Sequence, residues 1–215
     1  YNDNLAGDPL HDPFVAGSGY VIPDNYEEVL NPNGDGVMAY IEIPKIDVYL
    51  PIYHGTSEEV LAKGAGHIEA TSLPIGGINR HSVISAHRGL PSSLLFTRLD
   101  ELEKGDIFNI HVLNEIHSYE VDQIEVILPE ELSSLSAKPD KDLVTLLTCT
   151  PYGVNTHRLL VRGHRVDYVP EKEVEQEDSL IPEWLQEYLL SILIGFILVL
   201  IICIIIVLRV KRKRK

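Results

Sequence analysis

The chain has 215 residues, about a quarter of them charged, with 32 acidic against 18 basic side chains and a formal net charge of −14. That length suits one globular domain plus an appendage, with enough chain to bury a substantial core. The acidic excess argues against general electrostatic binding of nucleic acid or other polyanions, and two cysteines are too few for a disulfide-built scaffold.

In chain order, residues 1–36 mix Asp8-Pro9, Asp12-Pro13, Pro23-Asp24 and Asn31-Pro32-Asn33-Gly34, turn signals with little periodicity beyond a short helical turn near Tyr26 to Leu30. They read as an N-terminal arm that lies on a surface rather than building a core. No apolar leader opens it, and an exported chain needs one, so Tyr1 is not expected to be the original start.

From Val37 the pattern turns strand-like and stays so to Tyr168. Strands are expected over Met38 to Pro44, Val48 to Tyr53 and Ser82 to His87. A hairpin of Asp106 to Leu113 with Ile116 to Asp122 follows, turning at Asn114-Glu115. Further strands are Ile124 to Leu128, Leu143 to Cys149 and Arg158 to Val166. Helical pieces are short: Thr56-Ser57-Glu58-Glu59 fits a capping box opening Val60 to Lys63, and Leu94 to Leu99 fits a brief amphipathic turn. Many short strands with few helices predict a mostly β fold, a closed or nearly closed barrel.

Residues 169–188 are acidic from Glu171 to Asp178 and read as a solvated tether. Leu189 to Leu208 then runs for 20 residues without a formal charge, long enough as a helix to match the roughly 30 Å hydrocarbon thickness of a bilayer. A single transmembrane helix is expected. Six of the last seven residues, Arg209 and Lys211 to Lys215, are basic, which puts the tail 209–215 in the cytoplasm and residues 1–188 outside. All 32 acidic residues but only 12 of the 18 cations precede the span, so the outer part carries a charge of −20.

The outer part therefore holds one cysteine, Cys149, at the end of an apolar strand, because Cys203 falls inside the span. An unpaired thiol in an oxidising exterior is a hazard unless it is used. Nine positions on, Arg158 opens the neighbouring strand. A thiol and a guanidinium at adjoining strand ends can face one pocket, an arrangement suited to acyl transfer through a thioester. Such a thiol needs a proton carrier. Of nine histidines, His87 is best placed, ending an apolar strand at the Arg88-Gly89-Leu90-Pro91 turn. His157 is the rival, but strand alternation points it away from Arg158. The other seven, His11, His54, His67, His81, His111, His117 and His164, are dispersed and expected mostly in loops or on exposed strand faces. They have no zinc-ligand spacing. No metal and no cofactor are expected.

Thr145-Leu146-x-Thr148-Cys149 followed by Arg158 resembles the signature of sortases, the membrane-bound cysteine transpeptidases of Gram-positive bacteria. The longer run from Cys149 through Tyr152, Asn155 and His157 to Gly163, with Ser85-Ala86-His87-Arg88-Gly89, is similar to class C, the pilus-assembling branch. The resemblance covers Val37 to Tyr168. It implies a sortase-type closed β-barrel in which Cys149 forms the thioester, His87 carries the proton and Arg158 positions substrate and stabilises the oxyanion. Thr148 matches a position linked to oxyanion binding and substrate contact. The implied substrate is a Leu-Pro-x-Thr-Gly-like sorting signal cut after Thr, and the implied acceptor is a lysine amine of a pilin subunit. Asp12-Pro13-Phe14 matches the lid motif of pilus sortases, with Asp12 meeting Arg158 and Phe14 covering the thiol. Pilin subunits and the membrane are the expected partners, without nucleic acid or an obligate oligomer. Two other readings remain: a housekeeping sortase anchoring proteins to peptidoglycan, and a non-enzymatic membrane-tethered binding module. A papain-like hydrolase fits poorly, because its thiol opens a long helix and precedes its histidine in sequence.

Overall fold

A computed structural model describes residues 2, 24–90, 93–170 and 183–213, with side chains only in part over the last stretch. Asp12, Pro13 and Phe14 lie outside the described residues, as does the acidic run of the tether. The chain divides into two compact units, Tyr1–Tyr168 and Val169–Lys215.

The first unit is built on eight strands: β1 (Val37–Ile43), β2 (Val48–His54), β3 (Ala65–His67), β4 (Arg80–Ser85), β5 (Ile107–Val112), β6 (Glu115–Ile127), β7 (Asp142–Thr150) and β8 (His157–Val166). They close into a barrel in the order β1-β2-β3-β4-β7-β8-β6-β5, with β5 returning to β1. Closure leaves no strand edge open to pairing with another chain. Two neighbouring pairs, β2 with β3 and β4 with β7, run parallel, and the others are antiparallel.

Alternation along each strand sorts side chains between two apolar bodies. Ile41 and Ile43 of β1, Phe108 and Ile110 of β5, Tyr119 of β6, Val144 and Leu146 of β7, and Val161 of β8 fill the barrel interior. Each fully buried side chain of this kind contributes about 1.5–3 kcal/mol. The alternate residues Val83, Leu147 and Leu160 form a second cluster with Ile68 on the outer face. There they are covered by Leu132 and Leu135 of a 3-10 helix, Leu132–Leu135.

Among the described residues of this unit one α-helix forms, α1 (Glu58–Lys63), and it starts one residue later than the expected box. Ser57, not Thr56, is its N-cap, accepting a hydrogen bond from the Val60 amide at 3.3 Å. Leu94 to Leu99 forms consecutive turns that bury Leu95, Phe96 and Leu99 and continue into a 3-10 helix, Leu99–Glu101. The strands expected over Ile116 to Asp122 and Ile124 to Leu128 are one strand, β6, interrupted by a bulge between Val121 and Gln123. The extra residue shifts the period-2 pattern by one, so a continuous strand reads as two. Arg162 holds the bulge by two hydrogen bonds to Asp122, at 2.8 and 3.0 Å. β3 was not expected. Its three residues include Gly66, where an added Cβ would lie 2.3 Å from the Gly55 carbonyl oxygen, so only glycine permits that approach.

The arm departs from its expected surface role at Tyr26, which is 1 % exposed inside the core. It sits in a 3-10 turn, Tyr26–Glu28, and its hydroxyl accepts from the Gly55 amide at 2.9 Å and lies 2.9 Å from Nδ1 of His67. The His54 ring lies 2.7 Å from the Val29 carbonyl and 3.1 Å from that of Gly36, tying the same segment to β2.

The histidines show a further difference. His54, His67, His81 and His117 are buried rather than in loops or on exposed faces. His67 donates Nε2–H to the Ser72 carbonyl at 2.9 Å while Nδ1 faces the Tyr26 hydroxyl. His81 donates Nδ1–H to the Ser136 carbonyl at 3.1 Å while Nε2 accepts from Thr145 at 2.7 Å. Each environment satisfies the neutral ring, and burial lowers both pKa values to about 4.

The second unit contains α2 (Glu183–Lys213), 31 residues long, which includes the expected span. Among the described residues, no helix is long and apolar enough to cross a membrane.

Candidate functional site

The site is set by strand register. On β7 and β8, Cys149 stands directly across from Arg158. On the other side, β4 runs parallel to β7 with Arg80 opposite Asp142 and Ser85 opposite Leu147. The ladder ends at Ser85, yet the same offset continues. The Ala86 amide donates to the Leu147 carbonyl at 3.2 Å, the Thr148 hydroxyl to the Ala86 carbonyl at 2.8 Å, and Arg88 Nη1 to the Thr150 hydroxyl at 3.3 Å. His87 is therefore opposite Cys149, and the three residues form one row across β4, β7 and β8.

They also share a face. Cys149 alternates in phase with Leu147, His87 with Val83, and Arg158 with Leu160, all on the outer side of the sheet. Cys149 is 8 % and Arg158 5 % exposed, while His87 is half-buried. A buried guanidinium needs acceptors: Arg158 Nη1 donates to the carbonyls of Asn155 and His157, both at 3.0 Å. The arginine is thus held by the loop that joins its strand to the thiol's. Burial lowers the pKa of the His87 imidazole, an effect opposed by the Glu58 carboxylate.

Thr148 is not brought to this face. It is fully buried, its hydroxyl is used by the Ala86 carbonyl, and strand alternation turns it toward the barrel interior. Its side chain fastens the His87 strand end to β7. His157 lies opposite Thr150, in phase with the inward Leu159 and out of phase with Arg158. The contacts of Arg88 and Thr150 at the edge of the row were not legible in the sequence. The available signal was adjacency to His87 and Cys149, but their pairing needs the parallel register. Among the described residues, no group of three or more His, Cys, Asp or Glu side chains gathers to hold a metal ion.

A buried thiol aligned with an imidazole and a guanidinium on the outside of a closed barrel is an arrangement suited to acyl transfer through a thioester. A family profile described as "Sortase domain" matches residues 41–166. The chain is 33% identical over 138 residues to Sortase D of Bacillus subtilis, covering 63% of this chain and 67% of that protein. Among solved structures, it superposes on sortase C-1 from Actinomyces oris with a TM-score of 0.73 and 48% identity, over 78% of this chain and 93% of the other. The pilus-related sortase C of Group B Streptococcus gives a TM-score of 0.71 and 48% identity, over 78% and 84%. The chain belongs to the sortase family of cysteine transpeptidases, with the sortase C branch.

Proposed function

We propose that this sortase builds pili. It cleaves a Leu-Pro-x-Thr-Gly-like sorting signal after Thr and joins the acyl group to a lysine amine of a pilin subunit. The observation that carries the reading is the row His87, Cys149, Arg158 on one face, reached through two different strand pairings. The likeness to a pilus-related sortase C supports the choice of acceptor.

In this reading the Cys149 thiolate attacks the threonine carbonyl carbon and the carbonyl electron pair moves onto oxygen. The Arg158 guanidinium faces that oxyanion, a contribution of a few kcal/mol for one donor. Collapse breaks the C–N bond, and protonated His87 supplies the proton that the departing glycine amine needs. Because burial lowers the His87 pKa, its protonated form is the stronger acid toward that amine. The acceptor lysine then attacks the thioester, its proton passes to His87, and the Cys149 thiolate leaves as the isopeptide bond forms.

The same proposal includes Asp12-Pro13-Phe14 as a lid, Asp12 pairing with Arg158 and Phe14 covering the thiol. It also includes Leu189 to Leu208 as the membrane anchor with a cytoplasmic tail. Ile192, Ile194, Phe196 and Ile204 to Ile206 are among the apolar side chains of α2 that stand exposed, and they would otherwise face water.

The test incubates the chain with a Leu-Pro-x-Thr-Gly peptide and hydroxylamine, and with a candidate pilin. Hydroxamate release abolished in Cys149→Ala, together with covalent pilin ladders, supports the reading. Release without ladders favours protein anchoring over pilin polymerisation. Truncation to probe the lid should stop before Asp24, since Tyr26 belongs to the core.

A further inference from the structure

The backbone ladder between the histidine strand and the cysteine strand stops at Ser85. Beyond it the Ala86 amide still donates to the Leu147 carbonyl at 3.2 Å and the Phe96 amide to the His87 carbonyl at 3.1 Å, and proton transfer requires His87 in register with Cys149. Side chains add to these backbone bonds on both sides of His87. On the N-terminal side of His87, Thr148 donates to the Ala86 carbonyl at 2.8 Å. On its C-terminal side stands Arg88, whose side chain is 9 % exposed.

Arg88 makes three contacts with separate parts of the site wall. Nη1 donates to the Thr150 hydroxyl, next to the thiol, at 3.3 Å. Nη2 donates to the Asp100 carboxylate at 2.5 Å. The guanidinium carbon lies 5.8 Å from the ring centroid of Tyr152, in the loop that leads to Arg158. Asp100 belongs to the 3-10 helix whose Leu99 is fully buried in the core, which holds its backbone in place while its carboxylate stays half exposed. Tyr152 in turn lies against Gly89, which has φ +80 and where a Cβ would come within 2.9 Å of the ring.

From these contacts we infer that Arg88 is a positioning residue for the transpeptidation, a clasp that keeps the His87 turn in register with Cys149. The inference rests on the catalytic reading of His87 and Cys149. Together with Thr148 it brackets the row: Ala86 is bound to Thr148, Arg88 to Thr150, and the reacting pair lies between. The clasp requires arginine because its two anchors engage different nitrogens of one planar group. A lysine ammonium reaches one of them and presents no face to the Tyr152 ring.

The test uses the full chain in detergent and reads the thiol itself. Alkylation of Cys149 by iodoacetamide is followed across pH on the Cys149-bearing peptide by mass spectrometry, which separates it from Cys203. The variants are Arg88→Met, Arg88→Lys and Asp100→Asn, with the fold of each checked by circular dichroism. Expected for Arg88→Met is alkylation about 3–10-fold slower at neutral pH and a profile shifted toward that of a free thiol. Arg88→Lys should not restore it, and Asp100→Asn should give a smaller shift in the same direction. Hydroxylaminolysis of the Leu-Pro-x-Thr-Gly peptide should lose kcat with KM within about twofold, since a misplaced reacting group costs up to about 100-fold. A wild-type pH profile and wild-type kcat per alkylatable Cys149 in Arg88→Met would overturn the clasp, and so would full rescue by lysine. If Arg88→Met does not fold, an unchanged profile in Asp100→Asn overturns it equally. His87→Ala separates the two layers. If it leaves the profile unchanged, the pairing of His87 with Cys149 fails; if it shifts the profile while the Arg88 and Asp100 variants do not, the clasp alone fails.

Discussion

Acidification should loosen the barrel before its carboxylates titrate, because His67 and His81 are buried as neutral rings. Each has a pKa of about 4 when folded against an ordinary 6.5. The unfolded chain therefore binds more protons than the folded one between these values. Their contribution to stability is complete above pH 6.5 and is lost as the pH falls toward 4. Going from pH 7.5 to 5.2, proton linkage gives about 1.7 kcal/mol for each ring, roughly 3.5 kcal/mol for the two. Burial pushes His87 and His117 in the same direction. The assay is urea unfolding of the chain in detergent at both pH values, followed by near-ultraviolet circular dichroism of the tyrosines. Its one tryptophan, Trp184, lies in α2, so the tyrosine signal reports chiefly the barrel. A pH effect below about 1 kcal/mol, or one left intact in a His67→Gln/His81→Gln double variant, would refute the reasoning.

Three more outcomes follow from named contacts. Thr148→Val should cost about 1–3 kcal/mol by leaving the buried Ala86 carbonyl without its donor, and should slow peptide cleavage; urea midpoints and initial rates measure the two effects. Gly66→Ala sets a Cβ 2.3 Å from the Gly55 carbonyl oxygen and should destabilise by about 3 kcal/mol, read as a drop in melting temperature or in soluble yield. Arg158→Lys keeps the charge but loses the guanidinium, whose Nη1 meets the Asn155 and His157 carbonyls, so kcat should fall about 100-fold while the thermal midpoint changes little.

Much of this barrel was legible because alternation marks strands that bury one face. β1, β2, β5, β7 and β8 fall close to where the pattern puts them. β3 is too short to alternate and is there because Gly66 permits a close approach that only the folded chain makes. The β5–β6 turn comes one residue earlier than Asn114-Glu115 suggests, with Leu113 at φ 52, a conformation unusual for leucine that the strand register imposes. At the site, Cys149 and Arg158 are legible as neighbours because they lie on one hairpin. That His87 joins them follows from a parallel pairing which no local pattern contains. Thr148 adjoins the thiol in sequence, but the strand period turns its side chain to the opposite face, where its hydroxyl meets the Ala86 carbonyl. The buried histidines were misread because imidazole is polar in composition yet neutral and fully hydrogen-bonded inside this fold.

The parallel contact of β4 with β7 also sets an order of events during folding. Cys149 and Arg158 come together by closing a short hairpin, whereas His87 must return across 62 residues of chain to reach the thiol. Loop-closure entropy makes the longer return costlier by about 1.7 kcal/mol, and non-local strand pairing is slow to form. A folding chain therefore holds its thiol beside a guanidinium before His87 reaches it. Reactivity develops only as the last strands close, so a partly folded molecule is poorly equipped to acylate itself or its neighbours.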